Sequence, residues 1–308
     1  MEPPVPAAGA ARAVPWRMQS WHDELTAALG PLRSSTPVTG GDINSALRGE
    51  LVDAAGEPRA LFIKHNDDAP PGMFEAEARG LQWLRGPELR VPRVLACGHR
   101  FLALEWLDPV TPDRAAQRAL GAGLAALHRR GAPHFGLDHD NFIATLPQPN
   151  TGPASGEVPD SWPAFWVEAR LAPMVERALA LGRGRASWRR ALDRLRAGAA
   201  GSLWPDEPPA RLHGDLWNGN VLFTAAGPAL IDPAVYAGHR EIDLAMLALF
   251  GGLTEATIEG YQAVHPLAAG WRERVPAGQL YPLLVHAVLF GGGYADRVDA
   301  ILAHLTGT

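Results

Sequence analysis

Residues 211–233, RLHGDLWNGNVLFTAAGPALIDP, hold two carboxylates and one amide at spacings that suit phosphoryl transfer. In that chemistry an Asp-x-x-x-x-Asn segment supplies a base for the acceptor hydroxyl and an amide ligand for magnesium. A second Asp binds the cation that bridges the phosphates. Asp215 is the candidate base, and Asn220 and Asp232 are the candidate metal ligands. Taken singly, each is an Asx residue of the kind that caps a turn or ends a strand. Taken together, they read as one constellation.

The flanking residues predict how the three meet. Gly214 and Gly219 permit tight or left-handed backbone beside Asp215 and Asn220, which makes the segment a loop. Residues 221–224 and 229–231 are β-prone, and the four-residue connection Ala225-Ala226-Gly227-Pro228 predicts an antiparallel hairpin. Its open end would place Asn220 beside Asp232, with Asp215 carried there by the loop. Trp217, two residues past the base, offers an aromatic face to a substrate, although a tryptophan buried under the loop is an equally ordinary reading.

A second group of chemical interest lies upstream. The chain has 27 arginines and a single lysine, Lys64, which suggests that a compact ammonium is needed at that position. From residue 38 the pattern predicts a strand, a glycine turn containing Gly40 and Gly41, a second strand, a turn at 53–58 and a third strand ending at Lys64. Residues 73–85 have helical periodicity, with Phe74, Ala78, Leu81 and Leu84 on one stripe and Glu77 inside it. A carboxylate on an apolar face needs a partner, so Glu77, rather than the outward Glu75, is expected to pair with Lys64. Residues 91–95 and 101–107 complete a small antiparallel sheet, and Asp108-Pro109 ends it.

Beyond this break the chain reads as mainly helical. Helices are expected at 113–130, 162–181, 186–200, 241–250, 254–264, 279–290 and 296–305. The expected organisation is a flexible extension at 1–18, a nucleotide-binding lobe at 19–108 and a helical catalytic lobe at 109–308. Asn141, Gln148 and Asn150 lie in a long polar tract and carry amides suited to hydroxyl recognition. Asp243, in the first turn of the 241–250 helix, is placed either to brace the catalytic loop or simply to favour the helix dipole. His128, on a helix edge, reads as a structural hydrogen-bonder.

Composition narrows the function classes. A hydrophobic content of 47% over 308 residues supports a packed core, and a net charge of −5 with no basic block argues against a nucleic-acid partner. No apolar run reaches the length of a membrane span, so no membrane partner is expected. The lone Cys97 cannot form an internal disulfide, and the opening MEPPVPAAGAARAVPWR lacks a signal-peptide core, so a cytoplasmic location is expected.

The motif HGDLWNGN followed by LIDP resembles the catalytic loop of small-molecule kinases related to protein kinases, and more narrowly that of the fructosamine kinase (ketosamine-3-kinase) family. The match extends from about residue 38 to 302 and includes Asp140-Asn141-Phe142-Ile143 and Pro147-Gln148-Pro149-Asn150. The resemblance implies an α+β, protein-kinase-like bilobal fold with a small antiparallel-sheet lobe and a mainly helical lobe. It implies ATP and Mg2+ as cofactors, and ketosamines, free or on glycated proteins, as substrates phosphorylated on the 3-hydroxyl in a deglycation reaction. Lys64 and Glu77 would then serve the phosphates, Gly40 and Gly41 would cover them, the backbone of Glu105 and Leu107 would bind adenine, and His213 and Asp243 would support Asp215. Position 42 is Asp where some relatives carry Cys, so thiol regulation does not carry over. An aminoglycoside- or choline-type phosphotransferase and a nucleotide-binding pseudokinase remain alternatives on the same fold. Intact Lys64, Glu77, Asp215, Asn220 and Asp232 count against the pseudokinase.

Overall fold

The computed structural model describes residues 20–39, 43–52, 56–151 and 159–307. The 1–18 extension, Gly40, Gly41 and Asp42 lie outside the described residues. A short helix, α1 (Trp21–Leu29), is capped by Ser20, whose hydroxyl accepts from the Asp23 N–H. It precedes a five-stranded antiparallel sheet in the order β1 (Ser34–Pro37), β2 (Ser45–Val52), β3 (Pro58–His65), β5 (Phe101–Glu105) and β4 (Val94–Cys97). The first strand therefore ends at Pro37 instead of beginning at Val38. The Val38 N–H still donates to the Ala46 carbonyl, so the ladder outlasts the regular strand by one residue.

The two faces of this sheet have different partners, as the alternation of side chains along a strand requires. Leu61, Ile63, Phe101 and Ala103 form one face and pack with Leu25 of α1. On the other face Leu102 and Leu104 join the main core with Phe74, Leu81 and Leu84 of α2 (Met73–Leu84). Lys64 lies opposite Leu102 in the register, which puts its side chain on the α2 side.

The remainder is mainly helical. Helix α3 (Arg114–Arg129) starts at Asp113, whose carboxylate accepts from the Ala116 N–H at 2.7 Å. After the hairpin β6 (Asn141–Ile143) and β7 (Leu146–Gln148), the helix expected at 162–181 is instead three segments. These are α4 (Trp162–Phe165), a π-helical turn (Trp166–Leu171) and α5 (Ala172–Ala180). Next come α6 (Ser187–Arg194) with a second π-helical turn, β8 (Ala210–Leu212), β9 (Val221–Thr224), β10 (Gly227–Leu230) and β11 (Tyr236–Gly238). The chain closes with α7 (Glu241–Leu249), α8 (Glu255–Val264), α9 (Trp271–Gly278), α10 (Leu280–Phe290) and α11 (Gly293–Thr306). Helix α9 was not anticipated, because Pro276 lies inside it and Gly270 and Gly278 bound it. The pair β8–β11 was also missed, since three-residue strands carry almost no periodic signal.

The catalytic hairpin is tighter than expected. Gly227 lies opposite Thr224, so only Ala225 and Ala226 form the loop, not four residues. The Thr224 hydroxyl closes it, donating to the Gly227 carbonyl and accepting from the Ala226 N–H. At the open end the Ile231 N–H donates to the Asn220 carbonyl at 3.1 Å.

Candidate active site

Lys64, on the sheet, is the meeting point of two halves of the chain. Its Nζ donates to Glu77 Oε1 and Oε2 at 2.8 and 3.0 Å, and lies 2.8 Å from Asp232 Oδ1. Burial alone would lower the ammonium, but Asp232 and Glu77 outweigh it and hold the group above the usual lysine range. Lys64 is therefore charged. Glu75, one half-turn away, instead meets His99 Nδ1 at 3.0 Å. Replacing Glu77 with Ala is accordingly expected to lower kcat/KM for ATP by roughly tenfold or more, a loss of about 1.4 kcal/mol, because it strips a buried ammonium of one of its two partners. Steady-state kinetics in which Glu75→Ala is the more damaging change would overturn this assignment.

Asp232 stands at a positive φ of 54° ahead of Pro233. Left-handed backbone is uncommon for a non-glycine residue, though Asp tolerates it better than most, and it persists only where the surroundings impose it. Here the imposition is visible. The Ala234 N–H donates to the His213 carbonyl, and the Ala234 and Val235 carbonyls accept from the Gln148 and Asn141 amides.

Asn220 links the two carboxylate positions. Its Nδ2 donates to the Asp215 carbonyl at 2.8 Å, to Asp215 Oδ2 at 3.2 Å and to the Asp232 carbonyl at 3.4 Å. With the nitrogen so committed, the amide oxygen is the atom left to ligate a cation. Asp215 is half-buried, and burial together with Asp232 pushes its carboxyl up to about 7 against the pull of the Asn220 amide and Lys64. A base poised near neutrality is what proton abstraction from a hydroxyl favours.

The catalytic loop is braced from below by Asp243. Its Oδ2 accepts from the His213 N–H at 2.7 Å, and its Oδ1 accepts from the Gly214 N–H at 3.0 Å. His128 Nε2 donates to the same Oδ2 at 3.2 Å, which leaves His128 Nδ1 to accept from the Tyr261 hydroxyl at 2.7 Å. The His213 ring donates from Nε2 to the Ile231 carbonyl and accepts the Asp215 N–H at Nδ1, and burial keeps it neutral. The partnership of His128 with Asp243, and of Tyr261 with His128, was missed in the sequence, because both lie on helices far from the loop. Gly214 has φ 81°, and a Cβ there would stand 2.0 Å from the Ala234 carbonyl oxygen, so this close approach requires glycine.

At the end of β5, the Glu105 N–H donates to the Arg93 carbonyl, while its carboxylate pairs with Arg90 and Arg93. The backbone of Leu107 has no protein hydrogen-bond partner among the described residues, which fits an adenine edge. Trp217 is more than a third exposed, and its indole lies over Gly219, where a Cβ would come within 2.3 Å of the ring.

Three sequence-based assignments need correction. Asn141, Gln148 and Asn150 are buried and do not present amides to a substrate. Gln148 donates to Asn141 Oδ1 and the Ala234 carbonyl and accepts from the Tyr281 hydroxyl. Asn150 donates to Asn141 Oδ1 and the His139 carbonyl and accepts from Arg170. The network ties all three side chains to one another and, through Asn141 and Gln148, to the segment that follows Asp232. Amide-rich sequence cannot distinguish an inward network from an outward one.

The sequence matches the fructosamine kinase family over residues 17–307. The chain belongs to that family. A protein of Enterococcus faecium named "probable ketoamine kinase" is 38% identical over 272 residues, covering 86% of this chain and 93% of its own length. A Thermus thermophilus protein of the same designation is 39% identical, with 87% and 91% covered. Among solved structures, a Thermobifida fusca protein named for fructosamine-3-kinase superimposes with a TM-score of 0.82 at 39% identity, covering 94% of this chain and 99% of its own. An aminoglycoside phosphotransferase structure, with ADP and hygromycin B, reaches 0.60 at 20% identity, covering 94% and 100%, and shares the fold. The fold is thus kinase-like α+β, and membership of the fructosamine kinase family makes the chain an ATP-dependent phosphotransferase acting on ketosamines.

Proposed function

We propose that this fructosamine kinase family member transfers the γ-phosphoryl group of ATP to the 3-hydroxyl of a ketosamine, with Asp215 accepting the hydroxyl proton. The observation that carries the reading is the joint placement of Lys64, Asp232, Asn220 and Asp215. Lys64 touches Asp232, Asn220 touches both carboxylate-bearing residues, and the four come from both parts of the fold. Lys64, held by Glu77, supplies a fixed positive charge for phosphate oxygens. The Leu107 backbone, with that of Glu105, offers the adenine contact. The lobe boundary falls at 108, between the sheet and α3.

The residues fit magnesium. Among the described residues no cluster of three or more His, Cys, Asp or Glu is arranged to hold a metal alone. A site of one carboxylate and one amide oxygen, with phosphates and water completing the shell, is what Mg2+ uses beside a nucleotide. Asp232 and Asn220 would hold it, and when bound it supplies charge neutralisation at the phosphates. The chain's own contribution is to hold Asp215, through Asn220 and the Asp243 brace, where an acceptor hydroxyl can meet it.

Both free ketosamines and glycated proteins are substrates in this reading, because the amine end of the substrate projects from the cleft while the sugar faces Asp215. The chain acts in the cytoplasm, in keeping with a described structure in which no helix is long and apolar enough to cross a membrane. ATP turnover measured against ribulosamines, fructosamines, choline and an aminoglycoside tests the proposal. Turnover with the ketosamines and none with the other acceptors is expected. Activity on choline or an aminoglycoside with none on any ketosamine would contradict the substrate.

A further inference from the structure

Two buried arginines of the helical lobe are satisfied in different ways. Arg240 forks onto the Glu207 carboxylate at 2.6 and 2.8 Å. Arg170 is fully buried and, among the described residues, has no carboxylate partner. Its Nη1 donates to the Pro149 and Ala169 carbonyls, its Nη2 donates to Asn150 Oδ1, and its Nε has no partner among the described residues. Taking a guanidinium out of water without a counter-charge is costly, and an orphan donor adds to the cost. A locally unfavourable group of this kind points to function more than to stability.

The backbone is arranged to receive it. Arg170 lies in the π-helical turn Trp166–Leu171, and such single turns occur frequently at functional sites. Pro173, in the turn that follows, has no N–H to give to the Ala169 carbonyl four residues back. That carbonyl accepts from Arg170 instead, at 3.1 Å.

Beyond these neighbours, the contacts of Arg170 converge on one segment. Its Cζ lies 3.9 Å from the centroid of the Tyr236 ring. Through Asn150 it reaches Asn141, whose Nδ2 donates to the Val235 carbonyl at 2.8 Å. Asn141 Oδ1 also accepts from Gln148, which donates to the Ala234 carbonyl at 3.0 Å. The Tyr281 hydroxyl of α10 completes the network on Gln148 Oε1 at 2.8 Å. Residues 234, 235 and 236 are therefore all held, immediately after Asp232-Pro233. Helix α2 closes on the same segment, since a Cβ at Gly80 would stand 3.2 Å from Val235 Cγ2 and 3.6 Å from Pro233 Cγ.

Asp232 needs such a clamp. At φ 54° its backbone would relax if the residues after it were free to turn, and its carboxylate would leave the place beside Lys64. We propose that Arg170 is a positioning residue for the metal carboxylate: by clamping residues 234–236 through Tyr236 and the amides of Asn150, Asn141 and Gln148, it holds Asp232 in the left-handed conformation that presents its carboxylate to magnesium. The inference rests on the metal role of Asp232 in the proposed phosphotransfer. The adenine and phosphate contacts are assigned to Glu105, Leu107 and Lys64, none of which hydrogen-bonds to Arg170, so metal affinity and nucleotide affinity should respond separately.

The test measures binding and not turnover. Mn2+ is titrated by electron paramagnetic resonance into the full-length protein saturated with a non-hydrolysable ATP analogue, with no acceptor present. In Arg170→Met the Mn2+ affinity is expected to fall roughly tenfold or more, the usual cost of removing a residue that orients a metal ligand. Affinity for the analogue without metal should stay within about twofold of the wild type, as for an independent site. Arg170→Lys keeps the charge and loses the planar fork, so it should resemble Arg170→Met. Tyr281→Phe removes one hydrogen bond and keeps the ring, and should weaken Mn2+ binding by about threefold. Melting curves identify a variant that does not fold. If Arg170→Met is one, Arg170→Lys and Tyr281→Phe carry the test.

Unchanged Mn2+ affinity in the folded variants, or an equal loss of affinity for the metal-free analogue, would overturn the inference and leave the phosphotransfer reading standing. If the wild-type complex held Mn2+ no more tightly than the free analogue does, the metal role of Asp232 would fail and the inference with it.

Discussion

In Asp215→Asn, kcat is expected to fall by roughly 10²–10⁴-fold, the usual contribution of a positioned acid–base group, while the Kd for ATP changes little. The two effects separate because of where Asp215 sits. It reaches Asn220 through Oδ2, and its backbone is held by the His213 ring and the Asn220 amide, so an isosteric amide keeps the loop in place. The amide cannot accept the hydroxyl proton. Lys64 and Leu107, the residues proposed to meet the nucleotide, form no direct hydrogen bond with Asp215, so ATP affinity is expected to survive. Single-turnover kinetics and nucleotide titration check the pair of outcomes. A variant that turns over like the wild type would remove Asp215 from the role of base.

The second large effect is expected at a residue that contacts neither reactant. Asp243→Ala leaves three buried donors without an acceptor, namely the His213 and Gly214 N–H groups and His128 Nε2. Breaking a buried charged network of this kind costs about 3–5 kcal/mol, which corresponds to a fall in Tm on the order of 10 °C for a protein of this size. Because the first two donors lie immediately before Asp215, kcat should fall by more than KM for ATP rises. A pH dependence follows as well. Burial would raise the Asp243 carboxyl, but its bonds to His128 and the Gly214 N–H and the neighbouring imidazoles hold it below the usual aspartate range. The native state thus favours the ionised form, so the stability it brings is complete above the unfolded-state value near 3.9 and is lost as pH falls through the lower native value. Thermal unfolding of the variant checks the main effect, and a Tm within about 2 °C of wild type would show that the brace is dispensable.

The reason some of this was legible in the sequence and some was not is physical. Asp215, Asn220 and Asp232 lie within one loop and hairpin, so their spacing predicted their meeting, and the pairing of Lys64 with Glu77 followed from helical phase, strand position, the single lysine and the kinase resemblance. The support beneath them is assembled across the chain. His128 is 115 residues from Asp243, and Tyr261 is 133 residues from His128, distances over which no local pattern speaks. Turn chemistry misled in one place, since Thr224 closes a two-residue loop where Gly227-Pro228 suggested four. Helix α9 was invisible because Pro276 and its bounding glycines outweigh a short apolar pattern that only tertiary packing stabilises. Asn141, Gln148 and Asn150 were expected to meet substrate hydroxyls and instead point inward, a direction the sequence does not carry. Polarity predicts a need for hydrogen bonds and does not say whether protein or substrate supplies them.

In the proposed reaction Asp215 takes the proton of a ketosamine sugar hydroxyl as that hydroxyl is phosphorylated. Incubating the protein with ATP, magnesium and a ribulosamine and following the reaction by ³¹P NMR tests it most directly. A new sugar-phosphate resonance is expected that grows with ADP, correlates with the proton on carbon 3, decays as free amine is released, and is absent with Asp215→Asn. ADP formation without any sugar-phosphate signal, or an undiminished signal from Asp215→Asn, would contradict it.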